Sequence, residues 1–316
     1  MFTALTTGSG VLLLVVMAAI VAFLVVEAVP AVLANTGNLF TETGWAPDAA
    51  TPRFGVVALA WGTVASSLVA LVLAVPVAVG VALFVTVYAP RGVASVLGYL
   101  VDLLAAVPSV VYGLWGAYWL VPRMLPVHQW LNEKLGWVPL FSGTVSGART
   151  VLTASVVLAI MVLPIVAAVC REVFAQAPQA HREAALALGA TRWEMIRLAV
   201  LPYGRRGVIG ASMLGLGRAL GETIAVAMVL SVAFTVSPSI LEPTGVTFAS
   251  NIALKFNESG PLGVSALVAS GLVLFVITLV VNAVARQVAG GQGRERSGPP
   301  GRSRHGRRAR GAEVAA

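Results

Sequence analysis

The sequence predicts an all-α polytopic membrane protein with six transmembrane helices. Three observations carry that prediction. Hydrophobic residues make up 58% of the chain and charged residues 11%, the reverse of what a water-facing surface needs. Several apolar runs exceed the roughly 20 residues that a helix needs to cross a bilayer. Lysine and arginine are also unevenly shared among the segments between those runs. The single cysteine, Cys170, excludes a disulfide framework and reads as a buried thiol. His128, His181 and His305 form no cluster with metal-ligand spacing. The H-x-E triplet at His181 and Glu183 lacks the P-C-x-x-C that would complete a zinc deaminase site.

Apolar runs bounded by charges and turn residues place the spans near 10–33, 57–88, 97–121, 150–170, 207–236 and 262–285. The second is too long for one perpendicular helix and holds Pro76 and Gly80, so tilt or a kink is expected there. No period of 20 to 50 residues recurs, which argues against a repeat array. With the N-terminus inside, segments 1–9, 89–96, 171–206 and 286–316 carry fifteen basic residues. Segments 34–56, 122–149 and 237–261 carry five: Arg53, Arg123, Lys134, Arg149 and Lys255. The asymmetry predicts both termini on the cytoplasmic side. A secretory signal peptide is the rival reading of residues 1–35, through the small-residue stretch "AVLA", but a positively charged n-region is missing. The start "MFTALTTGSG" also fits a start codon further upstream.

From Arg286 onward the chain is rich in Gly, Pro, Ser and Arg, with little to bury. Residues 287–316 are therefore expected to be a disordered basic tail after a transmembrane domain at 1–286. Eight arginines in this stretch account for the formal charge of +8. They read first as a topology anchor that touches anionic lipid, and otherwise as a regulatory or nucleic-acid element. Nucleic acid is not an expected partner.

The segment 171–206 holds "APQAHREAALALGATRWEMIRLAVLPYGRR". A helix can start after Pro178 and end at Gly189, where glycine accepts the left-handed conformation. Thr191 and Glu194 then form a capping box for a second helix, with Pro202 at its boundary. An ordinary amphipathic loop would account for the helices but not for the spacing.

That spacing carries a resemblance. Glu183, Ala184 and Ala185, then Gly189, then Leu201 and Pro202, are similar to the EAA loop of ABC importer permeases. In that family the loop is the coupling helix that fits a groove in a cytoplasmic ATPase. Ala199 stands where isoleucine is usual, at a packing position. "DLLAAVPSVVYGLWG", "FGVVALAWGTVASSLVALVLAVPVAVGVALF" and "GLGRALGETIAV" further resemble the permease subunits of phosphate-specific importers, with "GETIAV" similar to the C-type rather than the A-type subunit. The likeness spans about residues 10–285. It implies a type I (MetI-like) permease fold in the bacterial cytoplasmic membrane. The implied partners are a second, A-type permease, an ATPase dimer and an extracytoplasmic phosphate-binding protein. No cofactor is expected on this chain, and ATP is used by the partner ATPase. The chain itself offers no P-loop, since Lys134 in "NEKL" and Lys255 in "ALKF" follow no glycine. A permease for sulfate, molybdate or phosphonate remains an open alternative, because an arginine-lined path does not name its anion. A membrane enzyme lacks a visible cluster of nucleophile, base or ligands, and a secondary transporter does not need the EAA spacing.

Within "GLGRALGETIAV", Arg218 lies about 16 Å inside the membrane from the inner end of its expected helix. A charge there costs about 2.5 to 3.5 kcal/mol and should face protein or water. Glu222, four residues on, would share its helix face and can neutralise it. Two readings stand: a pair that locks helices together, or an arginine that receives phosphate through its planar fork, as the resemblance implies. Gly217 and Gly221 form a GxxxG step suited to close packing with the partner permease. Pro108 leaves the Leu104 carbonyl without its helical donor, and Ser109 and Tyr112 bring hydroxyls to the same turn, which is either path lining or a simple kink. Asp102 reads as interfacial, and Glu27 as reaching the outer headgroups.

Overall fold

The computed structural model describes the backbone of residues 2–290 and the side chains of residues 5–287. Two helices come before and after a short hairpin: α1 (Phe2–Ala34), then β1 (Trp45–Ala46) and β2 (Arg53–Phe54), then α2 (Val57–Leu83). The strands are antiparallel, with Trp45 opposite Phe54. Helices α3 (Arg91–Ala105), α4 (Ser109–Trp115) and α5 (Val121–Leu135) follow, and α6 (Val151–Ala175) comes next. The connecting segment folds into α7 (Gln179–Ala187) and α8 (Arg192–Met195). The chain ends in α9 (Leu201–Leu220), α10 (Ile224–Val229), α11 (Phe248–Lys255) and α12 (Pro261–Gly290).

Among the described residues, four continuous helices are long and apolar enough to cross a membrane: Leu5–Ala34, Val57–Tyr88, Val151–Ala175 and Pro261–Gln287. These match the first, second, fourth and sixth expected spans. The other two differ. The span expected at 97–121 is a bent pair, Arg91–Ala105 and Ser109–Leu135, turned by 88° at Pro108. Proline has no N–H and pushes the residue before it out of the helical region. The span expected at 207–236 is helical only to Leu220, breaks, and resumes as the six-residue α10. Among the described residues there are thus four uninterrupted membrane helices, or five spans if the bent pair counts as one, rather than six. Helix α12 also continues to Gly290, past the expected start of the basic tail. The rest of that tail, 291–316, lies outside the described residues.

Three π-helical turns, Phe84–Tyr88, Gly116–Leu120 and Ile196–Val200, each end two residues before a proline: Pro90, Pro122 and Pro202. A proline ring collides with the carbonyl four residues earlier. At Pro122 and Pro202, where the helix continues, those carbonyls belong to Tyr118 and Leu198, inside the widened turns, whereas at Pro90 the helix has already ended and Ala89 and Pro90 are extended. Widening the turn moves the carbonyl off the ring. At Pro202 the chain therefore stays helical from Arg192 to Leu220, and the boundary expected there is absent.

Helix α6 is the centre of the bundle and is buried along most of its length, whereas the most apolar window of α1 has no buried residue. On α2, Gly62, Ser66, Ala70, Ala74, Ala78 and Ala82 recur every four residues and are all buried. The alanines of this stripe share one core with Val151, Leu158, Val162 and Val166 of α6. Lipid supplies no hydrophobic drive between helices, so small side chains that admit close packing hold such a pair together. On α9, a Cβ at Gly215 would meet Val162 and Val166 of α6 within 2.8 Å, so that glycine packs inside this chain.

Three loops meet at one end of the bundle. Asp48 accepts hydrogen bonds from the N–H groups of Gly260 (3.0 Å) and Gly263 (2.8 Å), closing the first turn of α12. The Ile240 N–H donates to the Leu140 carbonyl at 3.0 Å. These loops are the ones poor in basic residues. At the opposite end Arg171 pairs with Asp102 at 3.1 Å, joining α6 to α3. Asp102 thus has a protein partner rather than a purely interfacial setting.

Candidate substrate path and coupling surface

The break after α9 decides the setting of Arg218. The helical ladder stops at Leu220, with Gly221 as its cap. Glu222 then turns inward, is only 8% exposed, and its Oε1 accepts the Ala225 N–H at 3.2 Å. The Thr223 hydroxyl donates to the Gly221 carbonyl at 3.2 Å. Glu222 is thus a local stop that takes up a free donor of α10. Among the described residues no ion pair joins it to Arg218, contrary to the expected same-face pair. The four-residue rule holds only where the helix continues.

Arg218 is left exposed and without a side-chain partner among the described residues. It opens into a groove of about 700 Å³ between α6, α9 and α12, shared with Ile165, Arg206, Gly217 and Asn282. Tyr112 is not among the residues that line this groove. Tyr112 donates to the Leu104 carbonyl at 2.9 Å. That carbonyl is the one Pro108 leaves without a helical donor, and the bond spans the elbow between α3 and α4. Ser109 starts α4 half-buried and makes no side-chain hydrogen bond among the described residues. A Cβ at Gly113 would meet the Ala225 Cα at 2.7 Å, so α4 seats on α10 directly behind Glu222. No atom lies within 4 Å of where a Cβ would stand on Gly217, and on Gly221 only the Gly217 carbonyl does. The GxxxG face is thus unoccupied by the described residues of this chain.

The connecting segment is built as its spacing predicts, apart from Pro202. Gly189 has φ +85°. Its N–H donates to Leu186 at 3.0 Å, and the Ala190 N–H donates to Ala185 at 3.1 Å, the paired closure of a left-handed helix end. Glu194 Oε2 accepts from the Thr191 N–H at 2.7 Å, and the Glu194 N–H donates to the Thr191 hydroxyl at 3.3 Å. The Thr191 backbone and hydroxyl donors hold the Glu194 carboxyl below its ordinary value. Arg182 donates to the Phe174 carbonyl and ties α7 to the end of α6. Glu183, itself exposed, accepts from Gln179 at 2.6 Å, Ala184 is exposed, and Ala185 packs inward on the core. Leu201 is half-buried and Pro202 exposed in the first turn of α9. Leu188 is 90% and Trp193 58% exposed, an apolar surface flanking the corner. Neither was singled out from the sequence; a leucine and a tryptophan beside a predicted cap are the signal that could have found them. Cys170 is fully buried, as expected.

Comparison with known proteins agrees with this architecture. Residues 74–291 match the family model described as the binding-protein-dependent transport system inner membrane component. The chain is 51% identical over 290 residues to a "Phosphate transport system permease protein PstC 2" of Mycobacterium bovis, covering 90% of this chain and 89% of that protein. It is 49% identical to the Mycobacterium leprae PstC protein, over 85% and 86% of the two chains. A PstC protein of Xylella fastidiosa is 43% identical over 79% and 77%. Among solved structures, an inward-facing MetNI methionine ABC transporter chain aligns with TM-score 0.50 at 17% identity, over 74% of this chain and 95% of that one. The matched region takes in the elbow, the Arg218 groove and the coupling corner, and the chain belongs to the family of binding-protein-dependent transport system inner membrane components, among its PstC-type permeases.

Proposed function

We propose that this chain is a membrane permease subunit of an ATP-driven inorganic phosphate importer. It would form the translocation path with a second, A-type permease, couple through α7 and α8 to a separate ATPase dimer, and receive phosphate from an extracytoplasmic binding protein. ATP hydrolysis belongs to the partner, and no cofactor is assigned to this chain. The site lies in the bacterial cytoplasmic membrane, with the corner at Gly189 and both termini on the inner side. The observation that carries the reading is the Arg218 guanidinium, unpaired among the described residues, in a groove between α6, α9 and α12.

The physical logic follows from charge. Phosphate carries one to two negative charges and cannot enter hydrocarbon without an opposing cation. A guanidinium offers it a planar, two-donor fork that stays charged at any working pH. An arginine already neutralised by a glutamate would offer much less, and Glu222 is engaged elsewhere. The Gly217 and Gly221 step then gives the partner permease a place to approach, completing the path around Arg218. The exposed Leu188 and Trp193 give the ATPase groove an apolar surface to bury.

The test is phosphate uptake per assembled complex. Because Arg218 is exposed and unpaired, Arg218→Met should assemble normally and lose uptake. Arg218→Lys keeps the charge without the fork and should retain partial uptake. Glu222→Gln keeps an acceptor for the Ala225 N–H and should transport nearly as well as the parent. Full uptake by Arg218→Met would remove Arg218 from the path. Sulfate competing equally with phosphate would assign the permease to a broader oxyanion class.

A further inference from the structure

The groove that holds Arg218 carries two more arginines. Arg206 lies twelve residues earlier on α9, about 18 Å along the helix axis. Arg286 lies on α12, one turn beyond Asn282, so both side chains face the same groove. Among the described residues none of the three arginines has a hydrogen-bond or ion-pair partner, and no acidic residue lines the groove. Between the ends run apolar walls from Ile209, Met213 and Leu214. At Gly210 and Gly217 no atom lies within 4 Å of where a Cβ would stand, which keeps the floor open along its length. With no acidic side chain along these walls, the three guanidiniums set the groove's positive potential and attract an anion into it.

A single deep cation is a poor conductor, because the anion it attracts must also leave. Conduction needs further sites that bind more weakly and lie closer to water. Arg206 and Arg286 meet that need, since they sit toward the end of the bundle that carries α7 and α8. We propose that Arg206 and Arg286, assisted by the Asn282 amide, form a second station for the transported phosphate, which it occupies after Arg218 and before release. This rests on the reading of Arg218 as a phosphate path. The station accounts for why the groove is an arginine track some 700 Å³ in volume rather than a pocket fitted to one ion.

The test uses the full complex of both permeases, ATPase and binding protein, in proteoliposomes with labelled inorganic phosphate. Arg206→Gln combined with Arg286→Gln should lower the maximal uptake rate per assembled complex by about fivefold or more, leaving half-saturation for the loaded binding protein unchanged. The double lysine variant should recover much of the rate, because the charge is kept. Phosphate placed on the release side should slow the parent by refilling the station and have little effect on the double glutamine variant. Where that pair does not assemble, Arg286→Gln alone, on an exposed side chain, carries the same comparison. Parent-like rate and parent-like inhibition in the glutamine variant would overturn the station. If Arg218→Met is still inactive in that case, the path reading survives; if Arg218→Met transports fully, the path reading has failed first. A deficit seen with phosphatidylglycerol in the vesicles but absent in pure phosphatidylcholine would assign the arginines to a lipid headgroup and also overturn the station.

Discussion

At Gly189 the backbone sits at φ +85°, a region that costs a residue with a Cβ about 1–2 kcal/mol. No atom lies within 4 Å of where that Cβ would stand, so substitution strains the corner without a clash. Gly189→Asn should be mildest, since asparagine tolerates this region, and Gly189→Asp should add a charge beside Leu188. Copurification of the ATPase with the permeases should fall in that order; equal recovery from all variants would separate the corner from coupling. Glu194 adds a pH dependence. Its carboxyl is held below the ordinary value, so the capping box contributes fully above the unfolded value of about 4.3 and is lost as pH falls through the lower folded value. Exchange protection of the Thr191 amide should therefore decline on the acid side, and Glu194→Gln should abolish that decline. Both features were legible in the sequence because a cap is chemistry within three or four residues. The pairing of Arg218 with Glu222 was misread for the complementary reason. It assumes an unbroken helix, and the break at Gly221 depends on where α10 seats against α4.

Helices fail or hold here according to what meets their irregular turns. Pro108 was legible as an interruption, yet proline alone does not set an 88° elbow. The Tyr112 hydroxyl bridges it by donating to the Leu104 carbonyl, which also accepts the Val107 N–H at 3.3 Å. Tyr112→Phe should lower the thermal stability of the purified complex by about 0.5–1.5 kcal/mol, the net worth of one hydrogen bond, with assembly retained. Unchanged melting would mean that the elbow is held by packing alone. The four-residue stripe on α2 was open to a count of small residues, but its meaning depends on α6 lying against it. Ala74→Leu or Ala78→Leu should overpack that contact by about 1–3 kcal/mol, whereas Val72→Leu and Val77→Leu, on the exposed face, should melt as the parent does. The π turns before Pro122 and Pro202 mark a limit of boundary rules, which assume that proline ends a helix, as it does at Pro90, when a widened turn can carry it through.

The molecule as a whole sorts its loops by charge. The hairpin loop with Asp48, the turn at Leu140 and the segment before α12 touch one another at one end, and the basic segments leave from the other. That sorting was legible because lysine and arginine counts need no contact map. The position of α1 was not. It is apolar on all sides, so periodicity names no packing face, and it lies against α12, with Ala31 packed in one cluster with Ala266, while most of its surface stays exposed. Sidedness can be tested with single cysteines in a Cys170→Ala background, which removes only a buried thiol. Ala50 and Asn257 are exposed probe sites on these loops, and neither is Asp48, which closes the first turn of α12. An impermeant thiol reagent should label Ala50→Cys and Asn257→Cys from outside intact cells. Leu188→Cys, on the most exposed leucine of the corner, should react only after the inner face is opened and the ATPase stripped away. Labelling of Leu188→Cys in intact cells, with Ala50→Cys protected, would invert the orientation and place the coupling corner on the side where no ATPase can reach it.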